Sequence, residues 1–192
     1  MQAYHDNPKL KQDFLAELRR HQAADAFVQG TYGETDDTGT FRGCAVGCSI
    51  QSLNTIQHRQ IQRDDHGSYA VTIGIPEPLA YLEDRIFEGL PVKQAKQWPL
   101  RFAGAITPGA DLSLVIPRFM AWLMEDLEQY ATDDVKPVLR QVGSLYQHVI
   151  DGGTVSDNEW ERAAQAAAQA AQAAQAAHEK MADKLIELLR AA

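Results

Sequence analysis

Cysteine is nearly absent from this chain of 192 residues: Cys44 and Cys48 are the only two. One close pair cannot make the disulfide framework on which small secreted domains rely. No run of about 18 apolar residues occurs, so no membrane-spanning helix is expected. Cations are the minority charge, with 18 Lys and Arg against 26 Asp and Glu and a formal net charge of -8. That balance excludes generic binding to a phosphate backbone, which needs clustered basic residues. Met1 to Asn7 lacks the basic and apolar regions of a signal peptide, so a cytoplasmic setting with reduced thiols is expected. Strand-like sequence is scarce as well. Only Tyr69–Ile75 has such a composition, and its shortness and Gly74 favour an extended connection over a paired strand.

Helical signals fill most of what remains. Asn7 followed by Pro8 opens a first helix, read from Pro8 to Gly30 with Leu10, Phe14, Leu15, Leu18, Phe27 and Val28 at helical spacing. Thr31–Thr40 is rich in turn formers and reads as a loop. A second helix follows from Cys44 through Val46, Ile50 and Leu53. Pro76 or Pro78 opens a helix that ends at Gly89, and Pro91 opens another that Pro99 must kink or divide. Asp111 is placed as the cap of a helix reaching Tyr130, and Asp133 or Asp134 as the start of one closed by Gly152–Gly153.

Ser156 and Glu159 have capping-box spacing, and Ala163 to Ala177 contains only Ala and Gln. Alanine has the highest helix propensity, so residues 156–190 predict one long helix, about 50 Å at 1.5 Å per residue. The expected fold is all-α: a multi-helix bundle over residues 1–153 and a long C-terminal Ala-rich helix over 154–192. Alanine drives little burial but permits close backbone approach. The tract is therefore read as a packing or self-association element, which makes a homo-oligomer the expected state.

Chemistry concentrates at Arg42-Gly43-Cys44-Ala45-Val46-Gly47-Cys48. Three roles compete for the cysteines. They can be small apolar core residues. Cys44 or Cys48 can be a nucleophile, Cys44 being favoured by a helix N-terminus and Arg42, with His58 or His66 as base. Or the pair can bind zinc with those histidines, although the spacing matches no familiar zinc pattern. The expected metal content and cofactor content are none. Gly43 and Gly47 at a helix start could bring amide hydrogens close to an anion, with Arg42 adding a charged donor. Gly47 could equally serve close helix packing.

A second cluster is Tyr81 to Glu88, where Glu83, Asp84 and Glu88 have the chemistry of metal ligands or general acids. Glu125 and Glu128 give an ExxE spacing, but no ExxD partner follows as in all-helical nucleotide pyrophosphatases, so that enzyme class is set aside. Glu83 or Asp84 is instead expected to pair with Arg42, Arg85 or Arg101. Tyr32 and Tyr69 flank loops and are candidates for stacking on a ligand, whereas Trp98 and Trp122 lie on apolar stripes.

Tyr4–Lys11, Gly43–Cys48, Leu82–Pro91, the Ala-rich segment and Met181–Leu185 together make the chain resemble a family of bacteriophage and bacterial proteins. The resemblance spans nearly the whole chain and carries no activity with it. Its phage association implies a counter-defence factor that sequesters a nucleotide-like signal. Residues and resemblance together predict a non-catalytic oligomer that binds a small anionic ligand through Arg42, Gly43, Cys44, Gly47, Cys48, Tyr32, Tyr69, Arg85 and Arg101. A cysteine-dependent enzyme and a helical inhibitor of a host complex are the alternatives.

Overall fold

A computed structural model describes residues 1–192 except 38, 134 and 171–177. The chain is mostly helical and divides into two compact units, Met1–Ser113 with Leu189–Ala192, and Leu114–Leu188. The division falls ahead of the Gly152–Gly153 boundary drawn from the sequence.

In the first unit, a short turn of 3-10 helix, Ala3–Asp6, precedes α1 (Pro8–Ala23). Asn7 caps α1, its side-chain oxygen accepting from the amides of Lys9 and Leu10. Tyr4 is fully buried and donates to the Ala103 carbonyl at 2.9 Å. Helix α1 stops at Ala23, short of Gly30. Asp25 turns left-handed with φ of 53°, and Phe27 then bridges in parallel to Gly43. The segment expected to be all loop contains β1 (Glu34–Thr35), paired antiparallel with β2 (Phe41–Arg42).

Next come α2 (Ala45–Gln57), α3 (Ser68–Ile73), α4 (Glu77–Gly89), α5 (Val92–Ala95) and α6 (Trp98–Ala105). Tyr69–Ile73 is therefore helical, not extended. Buried Tyr69, Thr72 and Ile73 pack inward, and Gly74 terminates the helix at φ of 63°. Tertiary burial outweighs their strand preference here. Pro99 divides two helices, as expected, by standing in the first turn of α6. Helix α2 is the centre of the unit. Ala45 through Ile50 are all buried, and α1, α4, α6 and β2 contact it. A helix buried on every side needs small and apolar residues all round, which this stretch supplies.

The second unit holds α7 (Val115–Leu127), α8 (Lys136–Ile150), α9 (Asp157–Ala170) and most of α10 (His178–Arg190). Helices α7 and α8 pack along each other, and α9 packs on α8, with Tyr146 and Trp160 ring centroids 4.7 Å apart. Asp111 caps only a turn, accepting from the Ser113 amide at 3.0 Å, so α7 starts later than expected. Helix α8 likewise begins at Lys136 instead of Asp133; Asp134, the other proposed start, is outside the described residues. The Glu half of the capping box at Ser156 forms, the Ser156 amide donating to Glu159 Oε2 at 2.9 Å; the hydroxyl donates to the same oxygen at 2.6 Å, and the Glu159 amide bonds the Ser156 carbonyl. The Ala-rich tract is helical to Ala170, and 171–177 lie outside the described residues, as does the continuity expected of it.

His21 on α1 has its ring centroid 6.2 Å from Phe27 and 6.1 Å from Phe41. Burial lowers its pKa below the usual histidine value, and nearby Glu17 offsets part of that. A depressed histidine favours the fold in its neutral form. Its contribution is thus fully present above about pH 6.5 and is lost as pH falls through the folded value. The urea midpoint of the wild type should drop relative to that of His21→Phe as pH is lowered from about 7 to about 5. A constant difference would contradict this.

Candidate functional site

Cys44 is the N-cap of α2. Its amide donates to the Thr31 carbonyl at 2.7 Å, and its sulfur accepts from the Gly47 amide at 3.4 Å. The Gly43 amide is bound to the Ala26 carbonyl, and the Cys48 amide to the Cys44 carbonyl. These four amides are used inside the fold, which leaves none of them for an anion. The two glycines serve packing instead. A Cβ on Gly43 would meet the Tyr32 carbonyl oxygen at 2.7 Å, and one on Gly47 would overlap that oxygen outright and sit 2.7 Å from its carbon.

Both thiols are buried. Cys48 donates to the carbonyls of Gly43 and Ala26, and burial pushes its pKa up to about 12. Burial and the neighbouring Asp84 carboxylate hold the Cys44 thiol well above its ordinary range. Neither group has the electropositive, open surroundings of a reactive thiolate.

The Cys44 sulfur faces α4, where Tyr81, Asp84 and Glu88 follow at intervals of three and four and share one face of the helix. Donor atoms of Cys44, Asp84 and Glu88 lie within 4.8 Å of one another. Glu88 is held by the Gly30 amide, which donates to its Oε2 at 2.9 Å. His66, in the turn before α3, lies outside that trio and adjoins it through Asp84. It is 3% exposed, and its Nε2 is 3.5 Å from Asp84 Oδ2. Nδ1 lies 2.8 Å from the Asp64 carbonyl. A carbonyl only accepts, so Nδ1 carries a hydrogen and Nε2 is the ring nitrogen left to face Asp84. Among the described residues Nε2 and the buried Asp84 Oδ1 make no hydrogen bond of ordinary geometry, although the Cys44 thiol lies against the Asp84 carboxylate. Unpartnered buried polar atoms are uncommon, and two side by side single this cluster out as the candidate site. Tyr81 stacks on His66 at 4.1 Å and Tyr32 meets it edge-on at 5.8 Å. These tyrosines are 54% and 44% exposed and form the rim.

The inner face of α4 carries Glu83, which is 1% exposed. Its side chain accepts from the Tyr69 hydroxyl at 2.9 Å, and Trp98 Nε1 donates to its backbone carbonyl at 3.0 Å. Burial lifts the carboxyl to about 8, so it is largely protonated near neutrality. Glu83 therefore faces a phenol and Asp84 faces an imidazole, where arginine partners were expected.

Of the residues singled out in the sequence, Cys44, Tyr32, His66, Asp84 and Glu88 belong to this cluster. Tyr69 is a core residue committed to Glu83. Arg85 and Arg101 are exposed. Arg42 lines a separate recess of about 330 Å³ with Asp25, Phe27, Val28, Gln29 and Lys96. His58 caps the far end of α2, so it cannot join His66 around the cysteines. Sequence reading noticed Asp84 and Glu88 but did not join them to Cys44, and it missed Tyr81. The i, i+3, i+7 row was the available signal.

Comparison with protein-family models, with curated proteins and with solved structures finds no match.

Proposed function

We propose that this is a non-catalytic binding protein whose ligand is a cation, taken up at Cys44, His66, Asp84 and Glu88 beneath Tyr32 and Tyr81. The observation that carries it is the gathering of the Cys44, Asp84 and Glu88 donors within 4.8 Å, with the buried His66 Nε2, which makes no hydrogen bond among the described residues, 3.5 Å from Asp84. Such a set attracts positive charge and repels an anion. Catalysis by either cysteine is disfavoured, since both thiols are buried and held protonated.

A second reading keeps the anionic ligand and moves it to the Arg42 recess. Arg42 and Lys96 flank an apolar floor of Phe27, Val28 and Ala95 there, although Lys96 also pairs with Asp25 at 2.6 Å.

Thermal unfolding with divalent ions, polyamines, phosphate and nucleotides separates the two. A ligand at 100 times its dissociation constant stabilises by about 2.7 kcal/mol, a rise on the order of 5–10 °C for a protein of this size. A rise with a cation that Asp84→Asn removes supports the cation site. A rise confined to anions and removed by Arg42→Ala favours the second reading, and no rise at all overturns both. Native protein should also leave both thiols unalkylated by iodoacetamide near neutral pH, with labelling appearing only in urea. Rapid labelling of Cys44 in the folded protein would restore the cysteine-enzyme reading.

A further inference from the structure

Resting on the cation site just described, we infer that the cation is a thiophilic divalent metal ion of the zinc class, held by Cys44 Sγ, His66 Nε2 and one oxygen each of Asp84 and Glu88.

Donor type argues first. A thiol and an imidazole select zinc and cobalt, whereas magnesium and calcium prefer all-oxygen sites. Spacing comes next. Two donors about 2.0 Å from a tetrahedral zinc ion lie about 3.3 Å apart. His66 Nε2 and Asp84 Oδ2 stand at 3.5 Å. The Cys44, Asp84 and Glu88 donors lie within 4.8 Å of one another and must draw in to reach that spacing; His66, joined to them through Asp84, must draw in with them, and Glu88 is on the exposed rim.

The supporting contacts point the same way. Metal-bound histidines ordinarily give their second N–H to a carbonyl or carboxylate, which fixes the ring and its tautomer. His66 does this through the Asp64 carbonyl. The Gly30 amide holds Glu88, and the Gly47 amide points at the Cys44 sulfur, where it would stabilise a thiolate. Three of the four donors are thus oriented by backbone, on elements separated widely in sequence. The Cys44 proton poses no obstacle. The ion forms a bond to sulfur as the S–H bond breaks, and the proton passes to solvent. Four protein donors leave no open position, so the ion closes the corner where the Cys44 turn, the His66 turn and α4 meet.

Cobalt(II) titration of the reduced, full-length protein tests this directly. One equivalent should produce a thiolate-to-cobalt charge-transfer band in the near ultraviolet and the intense visible absorption of a tetrahedral site, both displaced by zinc. Cys44→Ser should abolish the charge-transfer band and weaken cobalt binding at least about tenfold, and His66→Ala should weaken it by about 10–100-fold. Cys48→Ala should leave the band in place. Glu88→Gln, at the exposed rim, guards against misfolding in the buried variants and should weaken binding while circular dichroism stays unchanged. Cobalt bound without a charge-transfer band, and equally well by Cys44→Ser, would overturn the thiolate assignment while leaving a carboxylate cation site intact. Failure to bind any divalent ion, with a polyamine still raising the melting temperature, would overturn the metal alone. Failure of both classes of cation would overturn the cation site as well.

Discussion

Gly47→Ala should destabilise the first unit by roughly 3 kcal/mol or more, at the upper end of what overpacking costs. The added methyl would occupy the space of the Tyr32 carbonyl, and that neighbour is backbone with no rotamer to escape into. Relief requires lifting the Thr31–Gly33 segment off α2. That movement breaks the Cys44 amide bond to the Thr31 carbonyl and takes the Tyr32 ring away from His66. The loss should therefore be double: a lower urea midpoint and weaker cobalt binding. Gly104→Ala is the control. Nothing lies within 4 Å of a Cβ built there, and in α6 alanine should be neutral or stabilise by up to about 1 kcal/mol. Equal midpoints for Gly47→Ala and wild type would show that the Tyr32 segment does not lie against α2.

Glu83→Ala should cost about 3 kcal/mol or more, and Glu83→Gln less than about 1 kcal/mol. Alanine leaves a cavity and strips the buried Tyr69 hydroxyl of its acceptor at 2.9 Å. Glutamine has nearly the same shape and retains a carbonyl oxygen for that hydroxyl. It also replaces a carboxyl that burial already keeps largely neutral near pH 7. Chemical denaturation of both variants, of Tyr69→Phe and of the Glu83→Ala, Tyr69→Phe double variant closes a double-mutant cycle. A coupling near zero between Glu83→Ala and Tyr69→Phe would mean that the pair contributes nothing. A cost for glutamine as large as that for alanine would show that negative charge at Glu83 is required by the fold.

Helix starts were legible because their signals are local. The Asn7 cap, the Ser156–Glu159 capping box and the prolines beginning α4 and dividing α5 from α6 act within one turn of chain. The cluster's row on α4 was visible for the same reason, since Tyr81, Asp84 and Glu88 depend only on helical periodicity. The hairpin of β1 and β2 was not legible, because two residues per strand leave no alternation to detect. The helical state of Ser68–Ile73 was missed because Tyr, Val, Thr and Ile favour a strand in isolation, and burial decided otherwise.

Composition and periodicity alone determined that the chain is mostly helical, where most helices begin, and that Cys44 stands at a helix N-terminus. Tertiary structure decided what that position can do. It laid the Tyr32 backbone over Gly43 and Gly47, consumed the amides an anion would have used, and turned Arg42 toward a different recess. It also brought His66 and α4 to the Cys44 sulfur. Those meetings depend on contacts between segments far apart in sequence, and local propensity carries no information about which distant side chains come together.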